Sequence, residues 1–540
     1  MENIYALMMS MAAALLALLG YIATEAGFAR AKNTGNVMIK ALAGFCIGVP
    51  CFLFAGRYLA FGGEPGARTL FFTALSAALA VCVFAAAVMG RMRFSAFCVM
   101  SALLAAVLFP LTVRASSFFT AQFGLLDPMN FGLLGTAAGT AGFMGAKVLG
   151  ARLGKYTKGG VAHAMPGHNI PLSLCGILLL SLGVVILAGS RAVVDGASED
   201  TLLRAMENMI LCGGLSALTA LLFTAIRYRK PEITMTISAF LTGIIASFPG
   251  CMGLTPAFSS ILGFLCGFLT VLTIENMDCH MNVDDPAGLC GITLVGSVLG
   301  LLGSGLFYEG RGLFAGGGFQ LLGAAALGIL AVGIGAGLFS GIFTWILHWL
   351  KILRLTPEQE IEGCDLSEHG MASVYHDFAL NLDTTDCSDS YLYAAEGCEE
   401  IEELEAHRPY EYPPVEAGDR QPLTKIEIVA RKEKLEHLKR ALNDIGITGM
   451  TVFPVAGCGV QKGYNERYRG VPVEIQLRAK IRVEVVVAKV PVAEVVNTAR
   501  RVLYSGHAGD GKIFIYSLND VVRVRTGESG YDAMQGASSE

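Results

Sequence analysis

The chain has 540 residues, of which 53% are hydrophobic and 16% charged, and its formal net charge is -5 at pH 7. A mean hydropathy of +0.55 excludes a single soluble core, and a small, evenly interspersed charge excludes nucleic-acid binding. The 14 cysteines lack CxxC or CxxH spacing, so they read as small buried hydrophobes rather than a metal or disulfide framework.

Apolar runs of spanning length recur near 3–24, 37–57, 68–90, 94–113, 129–150, 169–190, 202–226, 232–248, 256–274, 287–307 and 318–350. Each is long enough for about 30 Å of hydrocarbon, which predicts eleven spans. The first run lacks a basic leader and an A-x-A site, so it is expected to remain as a span rather than act as a signal peptide. Short-loop Lys and Arg concentrate in one alternate set of loops (Arg30, Lys32, Arg91, Arg93, Arg152, Lys155, Lys158, Arg227, Arg229, Lys230). The positive-inside rule then puts the N terminus outside and the long C-terminal tail in the cytoplasm of a plasma-membrane protein. The run DPMNFGLLGTAAGTAGFMGAKVLG at 127–150 is nearly all Gly, Ala, Thr and Leu, which suits a helix in the middle of a bundle.

From Asn381 to Gln421 the sequence is acidic and broken by prolines, the composition of a flexible tether. About 40 such residues span roughly 35 Å. Beyond it, LTKIEIVAR, GMTVFPVAG, AKIRVEVVVAK and GKIFIYSL read as strands, with amphipathic helices KEKLEHLKRALNDIGI and VAEVVNTARRVL between them. Two βαβ rounds of this kind predict an α+β, ferredoxin-like sheet with one helical face.

Three segments resemble the ammonium transporter (Amt/Mep/Rh) family: EAGFARAKN at 25–33, GKYTKGGVAHAMPGHNIPL at 154–172, and DDPAGLCGITLVGS at 284–297 running on to PEQEIEGCDLSEHG at 357–370. The resemblance implies a homotrimer in the lipid bilayer, with one pore per protomer built from two inverted five-helix repeats. Asp127 matches the family's acidic residue near the outer vestibule, and Ser190 the serine that helps recruit the cation. The segment 360–377 looks like the family's cytoplasmic C-terminal segment.

The pore positions depart from the family pattern. Gly135 stands where the first pore histidine is expected and Thr293 where the second is; the family's third-span Phe aligns with Ser76 and its Trp near Ala115. None of the nine histidines falls at mid-membrane. Each of these changes shrinks the side chain. A wider lumen lined by Thr136, Thr140, Ser190 and Thr293 would offer hydrogen-bonding groups to a larger solute. The expected permeant is a small neutral or weakly basic nitrogenous molecule larger than ammonia: urea, an amide, a guanidino compound or a creatinine-like ring. Ammonium transport by a modified route and a non-conducting nitrogen sensor are the alternatives.

The C-terminal part resembles PII signal-transduction proteins through GITGMTV (446–452), GCGVQKGYNERYRG (457–470), GHAGDGKIF (506–514) and VVRVRTGE (521–528). The resemblance implies an ATP or ADP site made by Gly457, Gly459, Lys462, Gly509, Asp510, Gly511, Lys512, Arg523 and Arg525, where glycine N–H groups and basic side chains hold phosphates. It also implies that Gln461 would carry Mg2+ with ATP and 2-oxoglutarate, that Lys480 would pair with the oxoglutarate carboxylate, and that Arg469 would plug the pore from within the same polypeptide. The family's modified loop tyrosine is Val473 here, which excludes uridylylation at that position. The expected division is a channel over 1–355, a C-terminal segment and linker over 356–422, a regulatory domain over 423–530 and a disordered tail over 531–540. No nucleophile-base constellation marks an enzyme.

Overall fold

A computed structural model describes residues 2–127, 130–157, 160–371, 423–431, 434–447, 449–457, 467–468, 471–472, 478–488, 490–504 and 511–534. The chain divides into two compact units, 1–380 with 466–473, and 381–465 with 474–540.

The first unit is helical. Its main elements are α1 (Glu2–Phe28), α2 (Thr34–Cys51), α3 (Arg57–Phe61), α4 (Ala67–Ala87), α5 (Phe94–Leu103), α6 (Phe109–Phe123), α7 (Phe131–Leu149), α8 (Ile170–Val194), α9 (Glu199–Tyr228), α10 (Ile233–Ser247), α11 (Pro256–Cys279), α12 (Leu289–Phe307) and α13 (Gln320–Trp349). Each predicted apolar run coincides with a helix or with two helices joined by a π-turn. Among the described residues, nine of these helical segments are long and apolar enough to cross a membrane, whereas α10 is only 15 residues long and α7 is diluted by Gly and Thr.

The π-turns have a local cause. One spans Leu104–Leu108 just before Pro110, and the other Phe52–Gly56 just after Pro50. Proline lacks the N–H that would hold the regular ladder, so the helix takes up the fault as a π-turn nearby.

The most enclosed helix is α4, whose residues Phe72 to Ala87 are all buried. Its run of alanines lets neighbours close in from every side. Helices α7 and α12 lie antiparallel beside it, because Gly132 packs on Leu301, Gly135 on Ser297 and Gly142 on Cys290. Both begin on an acid four residues upstream. Asp127 accepts the N–H of Gly132 (3.1 Å) and Leu133 (2.9 Å), and Asp285 those of Gly288, Cys290 and Gly291. A carboxylate there answers the unpaired amides and the positive end of the helix dipole.

Two short helices, α14 (Pro357–Glu362) and α15 (Cys364–His369), follow α13 and pack on the same unit. The expected boundary at 355 is therefore too early: 356–371 belongs to the helical body. Gly363 joins the two helices at φ 122°, with a prospective Cβ 2.8 Å from the Lys32 carbonyl, so only glycine fits there.

In the second unit, β1 (Leu423–Arg431), β2 (Thr451–Gly457), β5 (Arg478–Val487) and β6 (Lys512–Leu518) form one antiparallel sheet in the order β2-β5-β1-β6; β3 (Arg467–Tyr468) and β4 (Val471–Pro472), which fall in the 466–473 stretch grouped with the first unit, pair with each other. Ile426, Ile428 and Ala430 alternate inward on β1, and with Val483 and Val485 they pack on Leu438 and Leu442 of α16 (Leu435–Asp444) and Val495 and Ala499 of α17 (Val492–Leu503). Strand period 2 facing helix period 3.6 is the patterning the sequence carries there.

Candidate functional site

A cavity of about 70 Å³ lies inside the helical unit, bounded by α1, α4, α7, α8, α10 and α12. By the same measure one water needs roughly 10–15 Å³, so the space holds a molecule larger than water. Gly135 and Thr293, 158 positions apart in sequence, line it together, with Ser76 opposite. Ser297, one turn beyond Thr293, supplies a buried hydroxyl with no hydrogen-bond partner. A Cβ on Gly135 would stand only 2.1 Å from that Oγ. Glycine at 135 therefore makes room for the hydroxyl, and i, i+4 spacing from Thr293 is the signal that identifies Ser297.

Several expectations need correction. Thr136 and Thr140 do not line the cavity: Thr136 donates to the Gly132 carbonyl (2.8 Å), and both side chains face glycines of α13. The reason is helical phase, since the cavity face of α7 carries Phe131, Leu134, Gly135 and Ala138, roughly opposite residues 136 and 140. Ser190 lines a separate apolar groove between α1, α8 and α9, beside Tyr5, Met9 and Met206. Its neighbour Arg191 instead reaches the mouth. Aromatic rings are also present, supplied from other positions: Phe131 and Phe248 sit 5.1 Å apart at the cavity wall, and Phe72 lies in the mouth.

That mouth is a smaller space of about 20 Å³ lined by Phe72, Thr73, Ser76, Asn130, Phe131 and Arg191 among others, sharing Ser76, Phe131 and Leu134 with the cavity. Nearby Asp127 is buried; burial pushes its carboxyl up to about 6, against the pull of the Leu133 and Gly132 amides. Further along the seam between α7 and α12, Gly142 packs against Cys290 and Ala87, none of which lines the cavity. Glu25, one turn beyond the cavity-lining Tyr21, is fully buried with neither carboxyl oxygen hydrogen-bonded, and Asp285 and Lys40 are its charged neighbours.

The far end of the bundle is closed by buried ion pairs. Arg152 grips both oxygens of Asp284 (2.8 and 2.9 Å), Arg91 donates to the Asp284 carbonyl (2.6 Å), and Lys155 lies 3.3 Å from Asp278. Burial alone would raise the Asp284 carboxyl, but the flanking Arg152 and Arg91 prevail and hold it well below the usual carboxylate range. These basic residues, read in the sequence as loop charges, are structural ties. Here α15 docks: Asp365 accepts from Gly35 (3.0 Å) and Asn36 (2.7 Å), and Glu368 from the Phe94 N–H (2.7 Å), so its acids cap the starts of α2 and α5.

In the second unit, Lys480 lies across from Arg431 and Lys512 from Val429, so both stand at one end of the sheet beside Gly511. Gly511 has φ 131° and a prospective Cβ 2.2 Å from the Val429 carbonyl. Arg523 donates to Glu528 (2.6 Å), whereas Arg525 is exposed. Gly457 ends β2. Glu484 is committed to ion pairs with Lys425 and Arg482. Gly459, Gln461, Lys462, Arg469, Gly509 and Asp510 lie outside the described residues.

Residues 65–374, more than half of the chain, match the profile of the Ammonium Transporter Family. The chain belongs to that family. A second match, to Nitrogen regulatory protein P-II, covers residues 423–528, so an ammonium-transporter body is followed by a P-II domain. Among relatives, Ammonium transporter Amt2 of Archaeoglobus fulgidus is 29% identical over 407 residues, covering 66% of this chain and 85% of that protein. The Nitrogen regulatory PII-like protein of Bacillus subtilis is 47% identical over 110 residues, 20% of this chain and 95% of that one. A solved structure called Sensor Amt Protein shares the fold with a TM-score of 0.64 at 20% identity, covering 68% of this chain and 98% of that one. These relatives are transporters and regulators rather than enzymes. Gly135 and Thr293 meet across one cavity of this family member.

Proposed function

We propose that the transmembrane unit is a channel for a small neutral or weakly basic nitrogenous solute larger than ammonia, such as urea, an amide, a guanidino compound or a creatinine-like ring, regulated by the fused P-II domain. The observation that carries this reading is the cavity at Gly135, Thr293 and Ser297, whose size and unpartnered hydroxyl suit a polar molecule larger than water. Buried polar groups without a partner are costly, so a hydroxyl left open in an otherwise apolar wall is paired when a polar solute is bound.

The working assembly is a homotrimer with eleven spans per protomer, counting the short α10 and the glycine-rich α7, with the N terminus outside and the P-II domain in the cytoplasm of the plasma membrane. The matched acids at the starts of antiparallel α7 and α12 support two inverted five-helix repeats. The strand order supports a ferredoxin-like regulatory domain. ATP or ADP binds at Gly511, Lys512, Arg523 and Arg525 with the neighbouring Gly457, Gly459, Lys462, Gly509 and Asp510; Gln461 holds Mg2+ and Lys480 meets 2-oxoglutarate. Ligand state sets the position of Arg469, which blocks or frees the pore.

Proteoliposomes holding the full chain test this by light scattering with urea, acetamide, guanidine and creatinine, with and without ATP. Entry of at least one of these, abolished by closing the cavity with Ser297→Leu, is the expected result; entry of ammonium alone would refute it. A second reading, ligand capture without flux, is favoured by the close packing of Gly142 on Cys290 and Ala87 further along the same helix seam. It predicts solute binding to the trimer with no entry.

A further inference from the structure

The mouth of the pathway already contains a cation. Arg191, in the last turn of α8, places its guanidinium 5.6 Å from the centroid of the buried Phe72 ring. Asp195, one turn on, fixes the head group through a 2.8 Å ion pair with Nε. Arg191 lines the mouth with Phe72, Thr73, Ser76 and Asn130, and the mouth shares Ser76, Phe131 and Leu134 with the cavity. A solute entering from this side therefore passes the guanidinium before it reaches Gly135 and Thr293.

An aromatic face attracts a cation through its quadrupole, and here that face is occupied by the chain's own guanidinium, which is always charged. Asp195, itself 46% exposed, offsets part of that charge, but the ring face is already filled, so an incoming cation finds no aromatic face to hold it and is repelled by what remains of the guanidinium charge. We propose that Arg191 is a specificity-determining residue, a resident cation that occupies the aromatic mouth and restricts the pathway to uncharged solutes. The inference rests on the reading of the unit as a conduit, and it names the charge class of what passes.

Arg191→Gln removes the charge at similar length, Arg191→Ala removes charge and bulk, and Arg191→Lys keeps the charge. In proteoliposomes under a voltage clamp, the natural chain and Arg191→Lys should give no saturable methylammonium current. Arg191→Gln and Arg191→Ala should gain methylammonium entry by about tenfold to hundredfold, the range that removal of one nearby like charge implies. A saturable current in the natural chain, or continued exclusion by folded, trimeric Arg191→Gln, overturns the inference. If Arg191→Gln and Arg191→Ala fold poorly, the natural-chain current still decides it. A gain of cation entry with no entry of neutral solutes in any variant leaves Arg191 assigned while refuting the proposed substrate class.

Discussion

A methyl group on Gly135 has nowhere to go while Ser297 keeps its rotamer, since the prospective Cβ and Oγ are 2.1 Å apart. Gly135→Ala should therefore lower thermal stability by about 1–3 kcal/mol, the usual range for overpacking, and slow solute entry. Adding Ser297→Ala should restore most of the stability, because the pair interacts directly and the two effects cannot simply add. Melting of the four corner proteins of this cycle checks it, and strict additivity would show that the contact does not exist. At this scale the sequence revealed position better than direction. The place of Gly135 and Thr293 in their motifs identified two residues that share a cavity, but nothing in composition separates the cavity face of α7 from the face that meets α13. Thr136 and Thr140 were assigned by their chemistry and belong to the wrong side. Ser190 failed by a single residue, because a helix turns 100° per position and its neighbour Arg191 takes the mouth instead.

Among elements, α15 is the one whose role depends on its acids. Asp365 meets two backbone amides at the start of α2, and Glu368 meets one at the start of α5. Removing one such cap costs about 0.5–2 kcal/mol. Asp365→Ala should accordingly speed hydrogen exchange at residues 34–37 without altering exchange in α11, whereas Ser367→Ala, whose hydroxyl has no partner, should be silent. Equal exchange in both variants would mean that the docking is incidental. The helices themselves were legible because long apolar runs leave few alternatives, and the π-turns fall next to Pro50 and Pro110, where the sequence marks a fault. The enclosure of α4 was less visible: alanine is compatible with a lipid-facing or a central helix, and only its neighbours decide which.

For the whole molecule, fusion fixes one regulator to each transport body and holds it at an effective concentration of about mM. Lys512 stands at the end of the sheet beside Gly511, where an ammonium group would answer a phosphate. Lys512→Ala should weaken ATP binding to the full chain by about 1.5–3 kcal/mol, the range for a hydrogen bond to a charged group, and move the nucleotide concentration that alters solute entry by the corresponding factor. Calorimetry and flux on one preparation compare the two shifts. Weaker binding with an unmoved flux response would separate the P-II domain from control of the pathway.

The two acid-started helices, α7 and α12, run in opposite directions through the same wall. The acids make the two helix starts alike, but their surroundings differ: a guanidinium lies near the Asp127 end, whereas Gly142 is packed on Cys290 and Ala87 toward the Asp285 end. Such asymmetry alters rates and not direction: under the proposed channel reading, a neutral solute still moves down its concentration difference, so a cell would gain the compound when it is abundant and lose it when supply falls, unless the regulator shuts the passage first.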